Sequence, residues 1–150
     1  MIYLGADHRG FELKEQIEKY LDSIDIETTD LGAHQLSPND DYNEFAAEVA
    51  KFVRLERGNL GIVFCGSGNG VSIVANKHAE IRCAIAVNKQ MAKEARSDNG
   101  ANILSIPADF IDFDTTKEIV TTFIQTPFSM EERHTRRLSK IVRMEENGLA

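Results

Sequence analysis

Residues 61–70 read Gly-Ile-Val-Phe-Cys-Gly-Ser-Gly-Asn-Gly, an apolar run that ends in a glycine-rich turn. A short run that is apolar at nearly every position is typical of a strand buried on both faces, as in a parallel sheet. A helical pattern resumes from Val71 to Lys77, so the segment predicts a strand, a turn and a helix in succession. This order is the repeating unit of an α/β fold.

The same alternation continues towards both ends of the chain. Upstream of the central segment it predicts strands at 2–4 and 24–31 and helices at 11–21 and 42–56. Downstream it predicts strands at 83–87 and 103–106 and helices at 92–96, 115–123 and 130–147. Such alternation through short connections indicates a doubly wound parallel sheet, a Rossmann-like α/β/α arrangement of three layers. The chain has 150 residues and no repeat or linker, so we expect one domain over residues 1–150.

Composition limits the classes of partner. The net charge of −7 argues against nonspecific nucleic-acid binding, which needs a broad basic surface. The first ten residues do not resemble a signal peptide, and no segment approaches the ~20 apolar residues that cross a bilayer. We therefore expect a soluble, cytoplasmic protein with no membrane partner. The two cysteines form no disulfide framework, and the histidines lack metal-ligand spacing, so no metal site is expected.

Polar residues follow two of the predicted strands. Asp7 and His8 follow the first strand, and the glycine-rich turn follows the third. Ligands of open parallel sheets bind outside the carboxyl ends of the strands, and these two turns are neighbours if their strands flank the topological switch point. Three glycines in five residues let backbone N–H groups approach a ligand, and the start of a helix favours an anion. The alternative is a tight turn without a ligand, since glycine-rich turns are common where a strand leads into a helix. The turn matches neither a P-loop nor a dinucleotide-binding motif.

Cys65 stands immediately before that turn. A thiol near a helix N-terminus can have its pKa lowered well below the free value of ~8.5. Its thiolate could serve as a general base towards a carbon acid or as a nucleophile. The alternative is a buried, inert cysteine, which is the role we expect for Cys83.

Arg133 and Arg137 are four residues apart in the last predicted helix, so they share a face and could hold one phosphate together. The alternative is a solvated basic turn that balances Glu131 and Glu132.

These segments together resemble the family of ribose-5-phosphate isomerase type B, which includes the subunits of galactose-6-phosphate isomerase. The resemblance runs from residue 3 to about 142 and rests on residues 5–14, 41–42, 61–77, 81–84, 98–102 and 133–137. It implies a homodimer or a dimer of dimers, with active sites built from both subunits and no metal or organic cofactor. It also implies that the Cys65 thiolate moves a proton between C1 and C2 of a sugar phosphate through a cis-enediolate.

The resemblance also implies roles for individual residues. Backbone N–H groups of Gly66, Gly68, Asn69 and Gly70 would form an anion hole, with Ser67 near the reacting oxygens. Sugar hydroxyls would be bound by Asp7 and Asn99, and Asp41 and Tyr42 belong to the substrate-binding motifs. The phosphate would be held by His8, Arg133 and Arg137, so that the helix at 130–147 contributes to the phosphate site and the dimer.

Two residues depart from the family pattern. Asp98 stands where a histidine is thought to help open the furanose ring, so we expect a carboxylate in that catalytic position. Asp109 stands where an arginine contacts phosphate, and an anion there weakens binding unless it points away. The leading prediction is isomerisation of ribose 5-phosphate to ribulose 5-phosphate. The alternatives are an isomerase of a tetrose phosphate or galactose 6-phosphate, and a non-catalytic subunit that binds sugar phosphates.

Overall fold

The computed structural model describes residues 1–148, and residues 149 and 150 of the predicted domain lie outside them. One sheet contains the strands β1 (Ile2–Ala6), β2 (Thr28–Asp30), β3 (Leu60–Cys65), β4 (Cys83–Ile85) and β5 (Ile103–Pro107). The helices are α1 (Phe11–Ser23), α2 (Tyr42–Arg54), α3 (Asn69–Ala75), α4 (Lys89–Ser97), α5 (Phe113–Gln125) and α6 (Glu132–Glu146). The strands are parallel in the order β2-β1-β3-β5-β4, which confirms the predicted doubly wound α/β class.

The sheet lies between two helical layers. One core packs α1, α4 and α5 against the sheet, and the other packs α2 and α3 against the opposite face. All of β3 is buried: Ile62 and Phe64 belong to the first core, while Val63 and Cys65 belong to the second. This confirms that the apolar run at 61–65 is a strand covered on both faces. None of the helices within residues 1–148 is both long and apolar enough to cross a membrane.

The topological switch point lies between β1 and β3. After β1 the chain moves outward to β2, and it then returns to pair β3 with the other side of β1, with Ala6 opposite Phe64. The turns after β1 and β3 therefore leave neighbouring strands at the same edge of the sheet, as the sequence predicted. We call this edge, formed by the carboxyl ends of the strands, the carboxyl edge.

Several predicted strands and helices were too long or too short. Residues 24–27 do not join β2, because the amides of Ile24 and Ile26 both donate to the carbonyl of Leu21 and close helix α1. Helix α4 begins at Lys89 rather than at residue 92, because the side chain of Asn88 caps it by accepting the amide of Met91 at 2.9 Å.

Candidate active site

A buried carboxylate and a buried thiol meet at the carboxyl edge. The Cys65 Sγ donates to Oδ2 of Asp7 at 2.8 Å, and the two residues are 7% and 3% exposed. The other carboxylate oxygen, Oδ1, accepts the amides of Arg9 and Gly10, each at 3.0 Å. A β-carbon on Gly10 would lie 2.4 Å from the backbone of Phe64, so a glycine lets this turn lie directly against the end of β3. The carboxylate is therefore fixed beside the thiol, and protein groups occupy three of its roughly four acceptor positions.

The prediction of a lowered pKa for Cys65 was wrong. Backbone N–H groups of Gly68 and Gly66 do lower the pKa of the thiol, as expected for this turn. Burial, the hydrogen bond to Asp7 and the charge of Asp7 outweigh them and raise it to about 11. Burial likewise raises the pKa of Cys83 to about 12, so that residue stays a thiol at neutral pH. The sequence could not show that Asp7 lies against the sulfur.

Neighbouring residues fix the conformation of the glycine-rich turn. Gly68 has a left-handed φ of 74°, and its carbonyl accepts the hydroxyl of the buried Ser105 at 2.7 Å. Ser67 Oγ accepts the amide of Asn69 at 3.3 Å. The ring of Tyr42 lies so close to Gly70 that a β-carbon there would come within 2.7 Å of it. The turn that follows Cys65 thus lies against Tyr42, whereas Asp41, the N-cap of α2, makes no side-chain capping bond.

His8 is oriented by an aspartate that the sequence analysis did not single out. Its Nδ1 contacts Oδ1 of Asp40 at 2.6 Å, and its amide donates to the same oxygen at 3.1 Å. The other oxygen of Asp40, Oδ2, is buried and has no hydrogen-bond partner among the described residues. The imidazole is therefore held through Nδ1, which leaves Nε2 for a ligand. Asp40 ends the turn-forming segment Ser37-Pro38-Asn39-Asp40, and nothing in that pattern distinguishes it from a loop residue.

Arg9 and Asp109 form an ion pair at the same edge. Asp109 is placed by its own amide, which donates to the carbonyl of Gly66 at 3.0 Å. A β-carbon on Gly66 would lie 2.2 Å from Cζ of Arg9, so the guanidinium lies directly over this glycine. Asp109, which the sequence predicted to weaken phosphate binding unless it points away, is therefore paired with a cation. No sequence pattern assigned a role to Arg9, although it directly follows His8.

The remaining predicted residues lie at the opposite edge, where the strands begin; we call it the amino edge. Asp98 and Asn99 follow α4 and precede β5, and nearby the amide of Gly61 in β3 donates to the carbonyl of Asn102 at 2.9 Å. At about 3.3 Å per residue, the six residues of β3 separate the two edges by roughly 16 Å. A single chain therefore does not bring Asp98 and Asn99 to Cys65.

The start of α6 is attached to the same amino edge. Ser97 donates to Oδ1 of Asp98 at 2.5 Å, and Nδ1 of the buried His134 lies 4.0 Å from that oxygen and 2.7 Å from Oγ of Ser129. Arg133 pairs with Glu131 at 2.9 Å, as the alternative of a solvated basic turn describes. Arg137 is exposed in the same helix, four residues further on. A cavity of about 720 Å³ adjoins this group, and its lining includes Asn99, Arg82, Ile141 and Met144 but no residue of the turn after β3.

Comparisons with known proteins agree on one family. The model of the family described as Ribose/Galactose Isomerase matches residues 2–141. The ribose-5-phosphate isomerase B of Mycobacterium tuberculosis (strain ATCC 25618 / H37Rv) is 40% identical over 96% of this chain and 89% of its own length. The structure of ribose-5-phosphate isomerase B from Mycoplasma genitalium with bound ribulose-5-phosphate superposes with a TM-score of 0.92, at 36% identity over 97% of this chain and 95% of that one. The Thermotoga maritima ribose 5-phosphate isomerase has a TM-score of 0.90 at 39% identity, over 95% of this chain and 97% of its own.

Proposed function

Because this chain belongs to the ribose/galactose isomerase family, we propose that it is an aldose–ketose isomerase that interconverts ribose 5-phosphate and ribulose 5-phosphate. Relatives that bear the name ribose-5-phosphate isomerase B match almost the whole chain, and one solved relative holds ribulose 5-phosphate. The observation that carries the proposal is the thiol of Cys65, hydrogen-bonded to Asp7 and faced by the amides of Gly66 and Gly68.

The reaction needs a base that exchanges a proton with two adjacent carbons. In the direction from the aldose, the Cys65 thiolate takes the proton from C2, and the electron pair moves towards the C1 carbonyl to give a cis-enediolate. The thiol then returns that proton to C1, and a proton moves from O2 to O1, which leaves the ketose. The amides of the turn after β3 and the hydroxyl of Ser67 are donors suited to the negative charge on O1 and O2. Because the proton returns to the substrate, the reaction consumes no redox cofactor.

Asp7 acts on the base that exchanges the proton. Its two oxygens are engaged by Cys65, Arg9 and Gly10, so it positions the sulfur and is the acceptor nearest to the thiol proton. Because its pKa is raised to about 11, Cys65 is predominantly a thiol at neutral pH when no substrate is bound. A thiolate of high pKa is a strong base towards a carbon acid, and it forms in the substrate-bound state when the thiol proton passes to Oδ2 of Asp7.

A second copy of the chain completes the site. Asn99, Arg133 and Arg137 lie at the amino edge, so they serve the thiol of a partner and not their own. We propose a homodimer, alone or paired into a dimer of dimers, in which this group covers the partner's carboxyl edge and contributes to sugar and phosphate binding. We also propose that the protein works in the cytoplasm.

Asp98 supports a second candidate, an isomerase of the same chemistry with another sugar. A tetrose phosphate forms no furanose ring, so its isomerisation needs no acid–base histidine at residue 98. Galactose 6-phosphate is a further candidate substrate. The alternative to an enzyme is a non-catalytic subunit that binds sugar phosphates.

The test is a panel of four-, five- and six-carbon aldose phosphates, assayed with the unaltered chain, with Cys65→Ala and with Cys83→Ala as the matched control. We expect turnover of ribose 5-phosphate, a loss of roughly 10³-fold or more in kcat for Cys65→Ala with KM nearly unchanged, and no loss for Cys83→Ala. Turnover of only a tetrose or hexose phosphate would reassign the sugar. Binding without turnover of any sugar would favour the non-catalytic subunit, and an active Cys65→Ala variant would remove the thiol as the base.

A further inference from the structure

The ion pair between Arg9 and Asp109 crosses the end of the central strand. Arg9 belongs to the turn after β1 and Asp109 to the turn after β5, and β3 lies between these two strands. The guanidinium therefore spans the end of β3, directly over Gly66, whose carbonyl also holds the amide of Asp109. These contacts place a permanent cation one residue beyond the thiol that we assign as the base.

The guanidinium and the thiol lie on different sides of this strand end. Cys65 directs its sulfur to Asp7, whereas the β-carbon position of Gly66 meets Arg9. Successive side-chain positions of an extended strand point to opposite faces, which accounts for the separation. A group bound by Arg9 is thus displaced from the carbons that exchange a proton with Cys65, as the far end of a phosphorylated sugar must be.

The charges around this edge require such a cation. Asp7, Asp40 and Asp109 are acidic side chains here, and a sugar phosphate brings almost two further negative charges at neutral pH. Asp40 holds Nδ1 of His8, and Asp109 contacts only Nη2 of Arg9, whose side chain is 54% exposed. A guanidinium has five N–H donors in a fixed fork, so Arg9 can keep Asp109 and still donate to phosphate oxygens.

We infer that Arg9, held across the end of β3 by Asp109, is the chain's own guanidinium for the phosphate group of the substrate. This inference rests on the proposed function, since it assigns a residue to the phosphate of that substrate. Asp109 is a positioning residue: it fixes the direction of Arg9 and, because it is itself an anion, sets how strongly the site attracts phosphate.

The experiment measures binding of inorganic phosphate by calorimetry, and KM and kcat for ribose 5-phosphate, in a set of variants. Arg9→Ala is expected to weaken phosphate binding and to raise KM by tenfold or more, with kcat within about twofold of the unaltered chain. Arg9→Lys is expected to restore only part of the binding, because an ammonium group cannot form the same fork. Arg57→Ala, which removes an exposed arginine of the turn after α2, is the matched control and is expected to change neither quantity.

Asp109→Asn separates this role from a merely structural one. In the Arg9→Ala background it removes an anion that has lost its partner, so it is expected to recover several-fold of the lost phosphate affinity. If Arg9→Ala leaves phosphate affinity and KM within twofold, or if Asp109→Asn fails to improve binding in that background, the inference is overturned. Phosphate binding can be measured even if the chain does not turn over ribose 5-phosphate, so a failure of the proposed function does not hide the result. If the Arg9→Ala variant keeps both its turnover and its phosphate affinity, the role of Arg9 is refuted and the proposed function is not.

Discussion

At the scale of single residues, the site depends on a thiol that its surroundings keep protonated. The sulfur of Cys65 is buried and adjoins a carboxylate, and both features oppose the thiolate. The amides of Gly66 and Gly68 favour the thiolate, but they lower the pKa by less than burial and Asp7 raise it. The rate of a reaction that needs the thiolate of Cys65 should therefore rise with increasing pH.

Alkylation measures that dependence directly. Because only the thiolate reacts with iodoacetamide, the rate for Cys65 should rise about tenfold per pH unit from pH 7 to 10, without reaching a plateau below the pKa of about 11. Asp7→Asn removes the neighbouring charge and should move the inflection to lower pH. Cys83→Ser provides the background in which only residue 65 reacts. A plateau near pH 8.5, or an unchanged profile in Asp7→Asn, would contradict the interaction described for this pair.

At the scale of elements, a buried lysine joins α1 to β2. The side chain of Lys14 is fully buried, and its ammonium group contacts Asp30 at the end of β2 and Oε1 of Glu15 at 3.0 Å. Removing one partner of a buried ion pair is costly, because the other charge is left without compensation.

Lys14→Met should therefore lower the free energy of unfolding by about 3 kcal/mol, measured by urea denaturation. The exposed Lys19 lies in the same helix, so Lys19→Met is the control and should change little. Adding Asp30→Asn to Lys14→Met should recover part of the loss, since it neutralises the stranded carboxylate. Equal stabilities of the Lys14 and Lys19 variants would show that the ion pair contributes nothing.

The elements also show what sequence patterns can and cannot predict. The apolar run at 61–65 predicts a buried strand because a short segment that is apolar at every position must be covered on both faces, and the structure confirms it. The limits of β2 and α4 depend on a few hydrogen bonds, to the carbonyl of Leu21 and to the side chain of Asn88, which periodicity does not encode. For the same reason, the sequence identified Cys65 and the turn after it but not the contacts of Asp7, Asp40 and Arg9, which join residues far apart in the chain.

At the scale of the whole molecule, the predicted site residues fall into two groups on opposite edges of the sheet. Cys65, Asp7, His8 and Tyr42 belong to the carboxyl edge, and Asn99 belongs with Asp98 and α6 to the amino edge. The proposed dimer brings one group of each kind together, so each site would depend on two chains.

Complementation between inactive variants tests this arrangement. Cys65→Ala and the double variant Asn99→Ala/Arg137→Ala should each have little activity, because every dimer of one type lacks part of both sites. After the two chains are mixed, unfolded and refolded together, half of the dimers are hybrids with one intact site, so about a quarter of the original activity should return. Each variant refolded alone is the control. Mixtures that form hybrids but stay inactive would contradict a shared site.

The burial of β3 on both faces limits where this enzyme can change its substrate. Residues 60–65 belong to two cores at once, so a substitution that adjusts the surroundings of the thiol from within the strand also disturbs packing on both sides of the sheet. Arg9 and Asp109, in the turns after β1 and β5, belong to neither core and have exposed side chains. Variants with new sugar preferences are therefore best sought by randomising these two residues while the strand between them is left untouched.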